Sequence, residues 1–168
     1  MNSPYEGKFK ITQTFKGATH DGLDLVGIDS KEIHATATGK VVRAGWENES
    51  DHSQGFGQYV AILSNGRYYH YGHLSEIRCK VGDQVKITDV IGIEGNTGNS
   101  TGSHCHYCIR TSMSPGTYLD VCALSSIPNV YGGIYDDGWR AGSNQAKKSV
   151  KVTVLIDDHQ YSGLLEEI

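Results

Sequence analysis

Apolar residues recur at intervals of two in short runs along this chain, and no stretch sustains a 3.6-residue period long enough for a substantial helix. Residues 7–15 (GKFKITQTF) alternate weakly and predict an entering strand; 33–37 read as an extended piece, followed by a glycine turn and a strand over 39–46. Gln58–Leu63 and Arg67–His73 flank Asn65-Gly66, and both central positions of a type I′ turn require the positive φ that Asn and Gly tolerate. That predicts a hairpin. Further strands are predicted near 82–85, over 90–94 and over 104–110, whereas only Tyr118–Ser126, after Pro115-Gly116, has a pattern suited to two helical turns. Three polar stretches, 17–30, 47–57 and 95–103, read as long loops. The expected fold is all-β, a mostly antiparallel sheet with short hairpins and long loops. Its main domain is expected to span 1–135, followed by a polar, glycine-containing linker over 136–149. Residues 150–168 then predict a second hairpin: Val150–Ile156 alternates, Asp157-Asp158 turns, and Tyr161–Ile168 returns. A lone hairpin is marginal in water, so this extension either docks or begins a truncated module.

Composition narrows the picture. Twenty-one glycines in 168 residues are nearly twice the usual ~7% share, without a collagen-like period, as suits a turn-rich β protein. Fifteen Lys and Arg against nineteen Asp and Glu leave a net charge of -4, which recommends neither nucleic acid nor an anionic bilayer as the main partner. No apolar run approaches the ~18 residues of a membrane span, and Met1-Asn2-Ser3-Pro4 opens on polar sequence without a signal-peptide core. The expectation is a soluble monomer, either lacking a signal peptide or already trimmed of one. Four cysteines, at 79, 105, 108 and 122, are too few to read as a disulfide framework in a chain this long. Cys105-x2-Cys108 has no second pair at matching distance, so these thiols read as core material.

The candidate chemistry lies in the eight histidines. His104-x-His106 on a strand sets two imidazoles on one face, ~6.6 Å apart, as two ligands or as one ligand and a neighbouring base. His20-x3-Asp24 combines a nitrogen and an oxygen donor in one short segment, a mixture zinc accepts. His73 closes the hairpin strand, and a period of two puts it on the face of Tyr69 and Tyr71, opposite His70. Each pattern alone is weak. The small, polar run 95–103 just before His104 would let an extended polymer lie close to the backbone beside such a site. The loop 47–57 is a candidate wall beside it, with His52 exposed to solvent.

Taken in order, His20-Asp21-Gly22-Leu23-Asp24, Ala37-Thr38-Gly39-Lys40-Val41-Val42, Tyr71-Gly72-His73-Leu74 and the run from Gly95 to Arg110 resemble the LytM/lysostaphin-type zinc endopeptidases, the M23 peptidase group. The likeness runs from about residue 9 to about 115. It implies an antiparallel β core with an open groove, one Zn2+ per chain, and cleavage of peptide bonds in the stem or cross-bridge of bacterial peptidoglycan. It also implies that His20, Asp24 and His106 hold the metal and that His104 and His73 form the non-ligand catalytic pair. No HExxH glutamate is present, so proton handling falls to these two or to Asp and water around them; the sequence does not fix the division, and the favoured one makes His104 the water-orienting base and His73 the stabiliser of the oxyanion or leaving group. Cys105 and Cys108 depart from the family pattern. Alternation turns Cys105 away and puts Cys108 on the face of His104 and His106, where it reads as a small neutral filler, the alternative being a thiolate that competes as a ligand. The alternative function is a peptidoglycan-binding module with a structural zinc and no catalysis. Action on the cell wall fits a secreted enzyme with its signal removed or a phage-type lysin (endolysin).

Overall fold

The alternating segments are strands in a computed structural model that describes residues 2–137 and two further strands at 150–156 and 159–165. In chain order they are β1 (Lys8–Gln13), β2 (Leu23–Gly27), β3 (Glu32–His34), β4 (Gly39–Trp46), β5 (Gln58–Ser64), β6 (Arg67–Gly72), β7 (Glu76–Ile77), β8 (Gln84–Val85), β9 (Val90–Ile93), β10 (Cys105–Arg110), β11 (Ile134–Asp136), β12 (Val150–Ile156) and β13 (His159–Leu165). One helix, α1 (Val121–Ser125), occurs among the described residues, capped by the Asp120 carboxylate and ended by Ser126 in the left-handed region. It is shorter than the two turns expected.

The chain divides into two units, Met1–Gly138 and Trp139–Ile168. In the first, an antiparallel eight-stranded sheet runs β11-β1-β2-β10-β6-β5-β4-β8, beside a three-stranded sheet in the order β3-β9-β7. In the second, β12 pairs with β13 from Val150↔Leu165 to Ile156↔His159. The return strand thus begins at His159 rather than Tyr161. Residues 138–149, which hold most of the expected linker, and the expected turn at Asp157-Asp158 lie outside the described residues.

Alternation along β10 decides which side chains meet the core. Cys105, Tyr107 and Ile109 join Leu23 and Leu25 of β2, Tyr71 of β6, Ile33 of β3 and Ile91 of β9 in one buried cluster. His106, Cys108 and Arg110 leave by the opposite face. Each fully buried aliphatic or aromatic side chain contributes about 1.5–3 kcal/mol, so the register of this central strand is strongly specified. The hairpin between β5 and β6 turns through Asn65 (φ 48°) and Gly66 (φ 74°), as the sequence predicts.

Two buried polar clusters tie the sheet to its surroundings. Tyr71 and Tyr107 lie opposite each other on β6 and β10 with stacked rings, and both hydroxyls reach the Thr36 Oγ1, at 2.6 and 2.9 Å. The Glu94 carboxylate accepts hydrogen bonds from the Tyr5 hydroxyl, the Gly27 amide, the Lys31 ammonium and the Ser103 hydroxyl. Burial favours its neutral form, and these four donors outweigh it, holding the carboxyl below its usual range. Thr36→Val would remove the hydroxyl that both phenols reach, leaving Tyr71 with the Thr36 amide alone and Tyr107 without this buried partner. The expected outcome is a loss of about 1–3 kcal/mol in unfolding free energy, measured by urea denaturation; an unchanged midpoint would show that the cluster contributes nothing.

Candidate metal centre

Because β2 and β10 pair antiparallel with Asp24 opposite His106, both side chains leave the sheet on the face away from the core. The His106 Nδ1 lies 2.9 Å from the Asp24 Oδ1. His20 enters from the loop before β2; its Nδ1–H donates to the Thr14 carbonyl at 2.7 Å, which leaves Nε2 facing the same Asp24 oxygen at 3.1 Å. His104 stands at the entry to β10, where its Nδ1–H donates to the Gly102 carbonyl at 2.7 Å and its Nε2 points to Asp24 Oδ1 at 3.5 Å. His73 completes the group: Nδ1–H donates to the Thr97 carbonyl at 2.7 Å, and its ring centre is 4.6 Å from that of His104.

All five sequence-predicted site residues therefore meet at one place, but His73 arrives differently from the expectation. Tyr71 points into the core, so strict alternation would bury His73 beside it. His73 instead has φ 63°, a left-handed conformation just past the end of β6, and this turns the ring to the groove side. Cys105 is buried in the core and Cys108 lies on the groove face, as alternation requires. His52 is exposed and stacks on Trp46 with ring centres 3.6 Å apart.

Donor atoms of His20, Asp24 and His106 all lie within 4.8 Å of one another. The outer nitrogens of both rings are committed as donors, so the inner nitrogens converge on one carboxylate oxygen: as N–H groups they donate to it, and with a cation in place of those protons their lone pairs and the carboxylate share the metal. Two imidazoles and a carboxylate are a common zinc donor set, and donors ~2.0–2.2 Å from one tetrahedral zinc stand ~3.3–3.5 Å apart, close to the separations seen here. The residues fit the metal. Burial disfavours charge on His106, yet the hydrogen bonds of Asp21 and Asp24 outweigh it and hold its pKa well above the ordinary value. For Asp24, burial is likewise overcome by the hydrogen bonds from His106 and His20, which hold its carboxyl well below the usual range. His73 is governed by burial, which lowers its pKa to about 4 and keeps the ring neutral at neutral pH.

The sequence reading missed two charged neighbours. Asp21 Oδ1 accepts from the His106 Nε2 at 3.2 Å, while Arg110 donates to Asp21 Oδ2 through Nε at 3.0 Å and Nη2 at 2.6 Å. Strand alternation offered a signal for Arg110, since positions 106, 108 and 110 share a face. Asp21, Cys108 and His106 form a second group of donor atoms within 4.8 Å. The five predicted residues, Asp21 and Arg110 line an open groove of about 470 Å3, together with Gln13, Glu47 and Asn99–Thr101. Its loops are pinned together where Gly57 meets Gly98. A Cβ on Gly57 would lie 2.4 Å from the Gly98 nitrogen, and φ +62° there already favours glycine.

Peptidase family M23 matches this sequence over residues 18–119, more than half of the chain. The chain belongs to peptidase family M23. The M23 match contains His20, Asp21, Asp24, His73, His104, His106 and Arg110. Glycyl-glycine endopeptidase ALE-1 of Staphylococcus capitis is 37% identical over 107 residues, which cover 62% of this chain and 28% of that protein. Peptidoglycan DD-endopeptidase ShyA of Vibrio cholerae is 31% identical over 138 residues, covering 74% and 31%. The catalytic domain of the antimicrobial peptidase lysostaphin from Staphylococcus simulans superposes with a TM-score of 0.58 at 30% identity, over 73% of this chain and 93% of that domain. The chain thus spans less than a third of these two curated relatives but nearly all of the lysostaphin domain.

Beneath this M23 site, His70 is 1% exposed between the Phe56 and Tyr59 rings, and neither of its nitrogens has a hydrogen-bond partner among the described residues. Burial, helped by the Arg110 charge, lowers its pKa to about 3. Between that value and the unfolded ~6.5 the unfolded chain binds more protons, so the contribution is fully present above pH ~6.5 and is lost as pH falls toward 3. The slope from one such proton is at most about 1.4 kcal/mol per pH unit. His70→Phe is expected to flatten the acid loss of stability of zinc-free protein across this window, measured as urea midpoints at several pH values. Parallel curves for the two proteins would contradict it.

Proposed function

We propose that the chain is a zinc endopeptidase that hydrolyses peptide bonds in the stem or cross-bridge of bacterial peptidoglycan, with one Zn2+ held by His20, Asp24 and His106. The observation that carries this reading is the convergence of two imidazole nitrogens on one Asp24 oxygen at the floor of an open groove, with two further histidines beside them. The names of ALE-1 and ShyA support the substrate class, since both are endopeptidases and the second is named for peptidoglycan. When bound, zinc would supply an acidified water and a Lewis acid for the scissile carbonyl.

The chain's own residues then orient and move protons. His104 accepts the proton of the attacking water at Nε2, because its Nδ1 is already committed to Gly102. His73 acts at Nε2 on the oxyanion or the leaving nitrogen. Its ring is neutral at rest with Nδ1–H committed to Thr97, so Nε2 first receives the proton that His104 took from the water, the two ring centres being 4.6 Å apart, and then hands that proton on to the departing amine. The groove holds an extended peptide against Asn99–Thr101, whose short side chains let the substrate backbone come close. Two histidines outside the ligand set disfavour the alternative of a binding module with a structural zinc, which has no use for them.

Elemental analysis is expected to find close to one zinc per wild-type chain and loss of it in His20→Ala, Asp24→Ala and His106→Ala. His73→Ala and His104→Ala should keep zinc while kcat on a defined muropeptide falls about 10²- to 10⁴-fold. Full zinc retention in all three ligand variants, or wild-type turnover in a His73 or His104 variant, would contradict the assignment. Mass analysis of the products identifies the bond cut.

A further inference from the structure

The four histidines of the site are not held alike. His20, His73 and His104 each give Nδ1–H to a backbone carbonyl, of Thr14, Thr97 and Gly102. His106 alone gives its outer N–H to a charged carboxylate, that of Asp21. We propose that Asp21, clamped by Arg110, is the positioning residue that sets the tautomer and the donor strength of His106. This inference rests on the reading of the site as a zinc centre.

The geometry supports it from three sides. Asp21 and Arg110 side chains are only 20% and 10% exposed, so their pairing is shielded from water and from competing partners. Both Arg110 donors fall on Oδ2, which leaves Oδ1 free to take the His106 Nε2–H. Arg110 is fixed in turn, with its guanidinium 5.0 Å over the Phe56 ring. The approach of Asp21 to His106 also requires Gly22: a Cβ there would lie 2.7 Å from the His106 Nε2 and 2.6 Å from the Tyr107 carbonyl. With Nε2 occupied as a donor, Nδ1 is the nitrogen offered to the metal, and the anion behind the ring raises its basicity.

Asp21 is also close enough to His106 and Cys108 to form a donor set with them. The guanidinium argues against that use, because a cation placed there would meet the positive charge already bound to Asp21. Asp21 therefore acts through His106 and does not itself ligate the metal.

The test is zinc affinity, measured with the metal alone by competition against a chromogenic chelator, on wild type, Asp21→Asn and Asp21→Ala. Circular dichroism and thermal melting of the zinc-free proteins accompany it. Partners of this kind typically contribute 10- to 100-fold in metal affinity. Asp21→Ala is expected to lose that much while still folding. Asp21→Asn, whose amide oxygen still accepts Nε2–H but carries no charge, is expected to lose less. Affinity within twofold of wild type in both variants would overturn the proposal. So would a loss confined to variants whose zinc-free form is already unfolded, since that marks a purely structural role. Failure of the wild type to bind zinc would instead remove the zinc reading and this inference together, whereas a wild type that binds zinc and cleaves peptidoglycan beside variants of equal affinity removes Asp21 alone.

Discussion

The antiparallel register of β2 against β10 places Asp24 across from His106 and, on the other face, Leu25 across from Cys105 and Leu23 across from Tyr107. A slip of one residue would exchange the two faces, driving imidazole and carboxylate into the core and lifting leucine and tyrosine into the groove. The apolar face is what forbids the slip. Leu23, Leu25, Cys105 and Tyr107 are fully buried, and Tyr107 is tied through Thr36 to Tyr71 on the neighbouring strand. The energy that fixes the donor pair thus comes largely from side chains that never touch it.

The other histidines are delivered by loops, and each loop is anchored at a particular point. The Glu94 carboxylate holds Ser103 just before His104, and the Thr97 hydroxyl donates to the Leu74 carbonyl while accepting from the Gln58 amide. The Thr97 carbonyl in turn holds the His73 ring. The run 95–103 is rich in small polar residues, but it is laced to the neighbouring loop by backbone bonds from Gly98 to His52 and from Asn99 to Gly55. Its lack of bulky side chains therefore leaves room in the groove while its backbone stays pinned.

Much of this was legible in the sequence because local chemistry and periodicity agree there. Asn65-Gly66 marks its hairpin, strand alternation sorts Cys105 from Cys108, and the four ordered motifs carry the family likeness and with it the five histidine and aspartate positions. What stayed hidden depends on departures from regularity or on distant partners. The orientation of His73 follows from a left-handed residue at a strand end, which a period of two cannot foresee. Asp21 gains its place only when β10 brings Arg110 across to it, 89 residues away in sequence. Glu94 reads as an ordinary strand-end acid until its four donors are assembled from three separate stretches, near residues 5, 27–31 and 103.

The central claim is that metal binds the cluster of His20, Asp24 and His106 and not the adjacent group of Asp21, His106 and Cys108. Zinc K-edge X-ray absorption on the zinc-loaded wild-type protein distinguishes them directly, because sulfur scatters differently from nitrogen and oxygen and binds at greater length. The account predicts a shell of nitrogen and oxygen only, at ~2.0–2.2 Å, with histidine multiple scattering from two rings. A zinc–sulfur distance of ~2.3 Å would place Cys108 on the metal and contradict it.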